Sequence, residues 1–99
     1  MEFKQLEMFI AVAEARSVQR ATESVFRSQP AVSMAIAKLE EEVGSPLFHR
    51  TRSEHFRLTD VGEVLYDYAK RVIALRDEAA ATLERFVHDR AAHGATRDD

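Results

Sequence analysis

The chain has 99 residues, of which 45% are apolar and 31% are charged, and it contains no cysteine. This length allows one small domain with at most an additional arm, and the lack of cysteine excludes disulfides and thiolate metal sites. The N-terminal segment carries Glu2 and Glu7 among alternating polar and apolar residues, unlike a signal peptide. No stretch approaches the roughly 20 apolar residues of a membrane span. We therefore expect a helical protein of the cytoplasm.

The net charge of −3 is unevenly distributed along the chain. Residues 1–58 carry 8 Lys or Arg and 8 Asp or Glu, whereas residues 59–99 carry 6 and 9. Two clusters in the first part are basic, each with a single acidic residue: Arg16, Arg20, Arg27 and Lys38 form one, and Arg50, Arg52 and Arg57 form the other. Local positive patches attract a phosphate backbone even on an acidic protein, so nucleic-acid binding stays open.

The first two predicted helices cover residues 3–15 and 18–25. Apolar residues at three- and four-residue spacing predict the first helix: Phe3, Leu6, Phe9, Ile10 and Ala13, with Met8 and Val12 widening the apolar face. Ser17 is a good N-cap for the second helix, which turns Val18, Ala21 and Val25 inward. Phe26 and Arg27 then form a turn.

The third predicted helix begins after Ser28, which can cap it, and has Pro30 in its first turn, where the missing N–H costs nothing. Gly44 can adopt the left-handed conformation that ends a helix, and Pro46 prevents continuation. The predicted buried stripe is Val32, Ile36, Leu39 and Val43, and the outer face carries Gln29, Ser33 and Lys38. Two short helices in this relation form a helix-turn-helix, whose second helix fits the DNA major groove.

A small β-hairpin is predicted next. Residues 47–50 and 56–58 are short alternating runs, and polar residues 51–55 separate them. Such a pattern indicates two short strands joined by a loop, which would form a wing beside the helix-turn-helix. The predicted head therefore covers residues 1–58.

The last predicted helix runs over about 60–90, capped by Thr59 or Asp60, with Asp60 and Glu63 at capping-box spacing. Its seam repeats every three and four residues: Val61, Leu65, Tyr68, Val72, Leu75, Ala79, Thr82 and Phe86. A helix this long cannot pack wholly on a 58-residue head, so the sustained heptad predicts a partner helix, parallel or antiparallel, most simply from a second copy. Packing on its own head would explain only the first two turns. We therefore predict a linker and dimerisation helix over residues 59–90 and a disordered polar tail over residues 91–99.

The ordered motifs resemble the N-terminal DNA-binding domain of LysR-type bacterial transcriptional regulators over about residues 3–75. They are, in chain order, Leu6-x-x-Phe9-x-x-Val12-Ala13-Glu14, Ser17-Val18-x-Arg20-Ala21, Ser28-Gln29-Pro30-Ala31-Val32-Ser33-x-x-Ile36-x-x-Leu39-Glu40, Gly44-x-x-Leu47-Phe48-x-Arg50 and Leu58-Thr59-x-x-Gly62. The resemblance implies a mainly α fold, with three helices and a short hairpin wing forming a winged helix-turn-helix, followed by a long dimerising linker helix. It also implies a C-terminal effector domain, absent from these 99 residues, to which any small-molecule effector would belong.

The resemblance assigns DNA-binding roles by position. Gln29, Pro30 and Ser33 match the groove-facing start of the recognition helix, Lys38 and Arg50 match phosphate contacts, and Arg52 is the best candidate for the minor groove. Ser28 can cap the helix and also touch a phosphate. Met34 stands where the family usually has arginine, and it offers only an apolar contact, for example to a thymine methyl. Arg16 stands where the family prefers glycine.

Other functions find little support in the residues. The histidines fit no recognised metal-site spacing, and no catalytic triad, phosphate loop or paired catalytic carboxylates occur. We therefore expect no metal, no cofactor and no enzyme activity. The leading hypothesis is a homodimer that binds an inverted repeat in double-stranded DNA and regulates transcription. The alternative is a helical protein-docking module whose seam over 61–86 binds another protein.

Overall fold

Four helices and a two-stranded hairpin make up the computed structural model, which describes residues 1–50 and 56–92. In chain order they are α1 (Phe3–Ala15), α2 (Val18–Val25), α3 (Gln29–Val43), β1 (Phe48–His49), β2 (Arg57–Leu58) and α4 (Asp60–Ala92). The predicted winged helix-turn-helix with a long following helix is confirmed. Helix α4 continues to Ala92, two residues past its predicted end, while Arg52 and residues 93–99 of the predicted tail lie outside the described residues.

Hydroxyl groups begin three of the helices. Ser17 Oγ accepts a hydrogen bond from the backbone N–H of Arg20, and Ser28 Oγ accepts one from Ala31, both at 3.2 Å. Thr59 Oγ1 accepts from the backbone N–H of Gly62 at 3.0 Å and donates to the Pro46 carbonyl at 2.8 Å. Thr59, rather than Asp60, is therefore the N-cap of α4, and its hydroxyl also ties that helix to the segment before the hairpin.

The core lies where α1, α2 and α3 meet the base of the hairpin. Its largest fully buried side chains are Phe9, Ile36, Leu39, Leu47, Val12 and Val32. The rings of Phe9 and Phe48 lie 5.4 Å apart, which attaches β1 to the helical core. The prediction that Val43 belongs to the buried stripe of α3 was wrong. Val43 is exposed, in the last turn of α3 directly before its C-cap Gly44.

The hairpin is antiparallel, with Phe48 paired to Leu58 and His49 to Arg57. The start of α4 packs directly against it, since a Cβ on Gly62 would overlap the Leu47 carbonyl oxygen and lie 3.0 Å from Leu58 Cδ2. Only glycine permits this approach. The Gly62 of the sequence motif is therefore a close-packing position.

Among the residues that the structure describes, three other than glycine adopt the left-handed conformation: Arg16 and Phe26 with φ of 55°, and Phe56 with φ of 56°. Arg16 ends α1 and Phe26 ends α2, as Gly44 (φ 85°) ends α3. Glycine takes this conformation without a steric penalty. A glycine at position 16 would therefore end α1 with less backbone strain than Arg16.

We expect Phe26→Gly to raise the free energy of unfolding by up to about 1.6 kcal/mol, measured by urea or thermal denaturation. The left-handed conformation costs a side chain of order 1–2 kcal/mol, from which about 0.4–1 kcal/mol is subtracted for the added freedom of the unfolded chain. Little packing is removed, because Phe26 is 90% exposed.

Gly44→Ala is the matched control, because an added Cβ there meets nothing within 4 Å and changes only backbone strain. It should lower stability by about 1 kcal/mol or more. A Phe26→Gly protein less stable than the unmodified chain would show that the exposed ring makes a stabilising contact.

Candidate nucleic-acid interface

Helix α3 has one buried and one open face. Val32, Ala35, Ile36 and Leu39 lie in the core. The opposite face is exposed, and it carries all six of the residues predicted from this segment to contact DNA: Ser28, Gln29, Pro30, Ser33, Met34 and Lys38. An α-helix with its side chains is about 10–12 Å wide, and the major groove is about 12 Å wide. The open face is therefore accessible to a duplex.

The N-terminal end of α3 presents groups that bind nucleic acid. Ser28 is occupied as an acceptor by its cap bond to Ala31, yet its own hydroxyl proton remains available to a phosphate. Pro30 fixes the first turn and removes an N–H that would have no partner. The remaining free N–H groups and the helix dipole favour an anion at this end.

Exposed basic side chains lie along the helix-turn-helix segment. Arg16 follows α1 and Arg20 lies in the first turn of α2, and both line one shallow hollow. Arg27 precedes α3, and Lys38 lies on its open face. The three acidic residues at the far end of α3 differ in exposure. Glu41 and Glu42 are exposed, whereas the Glu40 side chain is only 17% exposed. Four basic side chains thus occupy exposed positions of the helix-turn-helix segment between residues 16 and 38.

Arg50 lies at the end of β1 and is already engaged within the protein. Its Nη2 atom is 3.1 Å from Glu40 Oε1, and its guanidinium carbon lies 5.6 Å from the centre of the Phe56 ring. The side chain is 49% exposed, so part of the guanidinium still faces solvent. Its phosphate contact stays a prediction, as does the minor-groove role of Arg52, which lies outside the described residues.

The inward turn of Glu40 is the feature of this site that sequence reasoning missed. The sequence assigned Glu40 no contact, and the residue appeared only at the end of one motif. A pattern was available, since Glu40 lies one helical turn after Ile36 and directly follows Leu39, at the edge of the buried stripe. The chain therefore buries most of one carboxylate beside the hairpin.

One side of α4 packs on the head, and the predicted dimerisation seam lies on the adjacent side. Gly62 and Ala69 are buried against the head, and Leu65, Tyr66 and Ile73 are packed on the core. The other predicted seam residues are exposed: Val61, Tyr68, Val72, Leu75, Ala79, Thr82 and Phe86. Leu75 and Phe86 have exposed fractions of 61% and 59%. Leu65 alone among the seam residues is shared with the core of its own head.

Polar contacts brace the proximal half of α4 against α1. Tyr66 donates a hydrogen bond to Glu14 at 2.9 Å, and Lys70 donates one to the same carboxylate at 3.4 Å. The pKa of Lys70 is raised, mainly by its hydrogen bond to Glu14 and next by its hydrogen bond to Tyr66. Arg76 lies 2.9 Å from Glu7, and hydrogen bonds to Asp77 and then Glu7 raise the pKa of Arg76. From residue 77 to residue 92 every position of α4 is exposed.

The part of the chain that the structure describes contains no group of three or more potential metal-ligating side chains. Within the same residues, no helix is long and apolar enough to cross a membrane. The polar surface around α3 is thus the site with the best-defined chemistry: an open helix start with amide, hydroxyl and cationic side chains.

Residues 3–63 match the family model described as bacterial regulatory helix-turn-helix protein, lysR family. The chain belongs to this family. Over 84 residues the chain is 40% identical to a probable RuBisCO transcriptional regulator of Cyanidioschyzon merolae. The matched residues make up 85% of this chain but only 27% of that protein. It is 39% identical over 102 residues to the HTH-type transcriptional regulator BudR of Klebsiella aerogenes, covering 100% of this chain and 71% of BudR.

A solved structure shares the LysR-type fold. The BenM_DBD/catB site 1 DNA complex matches with a TM-score of 0.82 and 32% sequence identity, covering 88% of this chain and 96% of that one. These similarities favour a DNA-binding regulator over the docking module. The chain spans about a quarter of the RuBisCO regulator that it matches, and both of these relatives are transcriptional regulators.

Proposed function

We propose that this chain binds double-stranded DNA sequence-specifically as a homodimer and thereby regulates transcription. The observation that carries the proposal is the open face of α3, where every predicted contact residue from Ser28 to Lys38 is exposed. Binding to the chromosome places the protein in the cytoplasm. The proposed function is DNA binding and dimerisation, without a catalytic step. We expect a small-molecule effector to bind the C-terminal domain that the resemblance implies.

The side chains of α3 divide into two chemical roles. The Gln29 amide can bond bidentately to the edge of adenine, and the Met34 thioether side chain can contact a thymine methyl. Ser33 is small enough to let the helix approach closely. Lys38 is a flexible point charge one turn beyond Met34 and suits the phosphate backbone. Base contacts therefore come from the first half of α3, and backbone contacts from its second half and from both flanking basic clusters.

The homodimer is supported by the exposed seam of α4. Every residue from 77 to 92 is exposed, and the apolar side chains of Leu75 and Phe86 in the seam face solvent. An isolated helix of about 12–15 residues is marginal in water. A second copy of the same helix would cover this seam and stabilise the segment.

Charges beside the seam favour an antiparallel pair. In a parallel pair, Arg71 would face the partner subunit's Arg76 and Arg85 would face the partner's Arg90, and both contacts are repulsive. In an antiparallel pair that joins all eight seam positions, Val72 lies opposite the partner's Leu75, and Arg71 lies beside the partner's Glu78. Symmetry forms this attractive contact twice, and it places one head at each end of the pair.

The first test separates base contacts from phosphate contacts. A duplex site is selected from a random pool, and binding is titrated against salt concentration with the selected duplex and with a random one. We expect Gln29→Ala to weaken binding to the selected duplex by about 1–3 kcal/mol and to change random binding little. Lys38→Gln should weaken both alike and flatten the logarithmic salt slope by roughly 0.9 for each phosphate that the protein no longer neutralises.

Ala81→Ser is a suitable control at an exposed position of α4 outside the seam, since it changes neither the charge nor the open face of α3. Equal losses on both duplexes for Gln29→Ala would contradict base recognition by this residue. A wild-type chain that selects no common sequence from the pool would refute the proposed function itself.

The second test addresses orientation of the dimer. Glu78→Arg should weaken dimerisation several-fold, because two interfacial contacts of roughly 0.2–1 kcal/mol each become repulsive, and adding Arg71→Glu should restore it. Association is measured by sedimentation equilibrium at low salt. Glu84→Arg makes the same charge change on the outer side of α4 and should leave association unchanged.

A parallel pair gives a different pattern. There Arg71→Glu alone would strengthen association by removing the repulsion from the partner's Arg76, and Glu78→Arg would have little effect. A wild-type chain that stays monomeric and shifts no DNA would instead favour the docking module.

A further inference from the structure

The Glu40 carboxylate joins the recognition helix to both ends of β1. Glu40 Oε2 accepts the backbone N–H of Leu47 at 2.8 Å, and Oε1 accepts Arg50 Nη2 at 3.1 Å. Leu47 directly precedes β1 and Arg50 directly follows it. One side chain of α3 thus holds the first strand of the hairpin at two points, three residues apart.

The contacts continue from Arg50 into the second strand and the core. The Arg50 guanidinium lies over the Phe56 ring at 5.6 Å, and Phe56 packs edge-on against Phe48 at 5.6 Å. The backbone N–H of Phe56 bonds to the His49 carbonyl at 3.0 Å, although Phe56 has the unfavourable left-handed conformation. An aromatic residue with a strained backbone thus lies against the arginine that Glu40 holds.

This network borders the open face of α3. A small hollow of about 120 Å³ is lined by Val18, Ser33, Ile36, Arg50 and Phe56. Ser33 belongs to the proposed DNA-contacting face, and Arg50 belongs to the hairpin. The position of Arg50 therefore sets how closely the hairpin approaches the DNA-facing side of α3.

We propose that Glu40 is a positioning residue for DNA binding, which rests on the proposed function. Its carboxylate fixes the hairpin relative to α3, so that both elements meet one duplex together. A glutamate that only carried negative charge near DNA would weaken binding, and its neutralisation would strengthen it. The positioning role has the opposite sign: neutralising Glu40 weakens specific binding.

The test compares Glu40→Gln with Glu41→Gln. The two variants make the same change in net charge on adjacent residues of α3, but Glu41 is exposed and has no contact with the hairpin among the described residues. A glutamine at position 40 keeps one acceptor oxygen and loses the other. We expect Glu40→Gln to bind the selected duplex roughly tenfold more weakly, as removal of one charge-assisted hydrogen bond implies. Glu41→Gln should bind as tightly as wild type or tighter.

The measurements are made on the dimer, with folding followed by circular dichroism and the ratio of specific to random affinity taken as the main readout. A merely structural role would lower the melting temperature without changing this ratio in the folded protein. We expect the ratio to fall for Glu40→Gln, and Arg50→Gln to lower it as well. The double variant should bind the selected duplex no more weakly than the single variant with the lower affinity, because both changes break the same pair.

Equal or tighter specific binding by Glu40→Gln would overturn the proposal, as would additive losses in the double variant. If Glu40→Gln fails to fold, Arg50→Gln decides. A reduced ratio of specific to random affinity supports positioning, whereas an unchanged ratio, with equal losses on both duplexes, overturns it. A flatter salt slope would report only the phosphate contact that is also predicted for Arg50. Wild-type DNA binding is measured in the same series, so a failure of this inference is distinct from a failure of the proposed function.

Discussion

The backbone of Leu47 is the point on which the arrangement of this molecule depends. Its N–H binds the Glu40 carboxylate of α3, and its carbonyl accepts the N–H of Thr59, the residue that caps α4. Its side chain is fully buried, and Gly62 approaches its carbonyl closely. One peptide segment therefore fixes the hairpin, the recognition helix and the long helix relative to one another.

Helix α4 performs two structural tasks on adjacent sides. Gly62, Ala69 and Ile73 attach it to its own head, whereas Val72 and Leu75 belong to a seam that no described residue covers. Because the two sides lie roughly a quarter of a turn apart, a partner helix could dock without displacing the head. The position of each head would then follow from a single rigid element.

Much of this fold could be predicted from the sequence because local patterns decide it. Ser17 and Ser28 cap helices in any context that allows a hydrogen bond, and the spacing of Val32, Ile36 and Leu39 determines which face of α3 is buried. The heptad of α4 distinguished an outer seam because it continued far beyond the length that the head could cover. These predictions depended on neighbours within four residues.

The features that escaped prediction depend on residues distant in sequence. The orientation of Glu40, for example, is decided by Leu47 and Arg50, seven and ten residues further along the chain. The left-handed conformations of Arg16, Phe26 and Phe56 also go against residue preference, so tertiary contacts or chain direction must impose them. Charge counts likewise gave no indication that Arg50 has an internal partner.

In the proposed homodimer, the exposed distal half of α4 would link folding to the concentration of the protein. Sixteen consecutive residues, 77–92, are exposed and receive little stabilisation from their own head. Association would stabilise their helical structure, and dilution would weaken it. Occupancy of a two-part operator by such a protein would rise more steeply than linearly with intracellular abundance. Control of synthesis or turnover could then switch a promoter over a narrower range of copy number than a constitutively folded monomer permits.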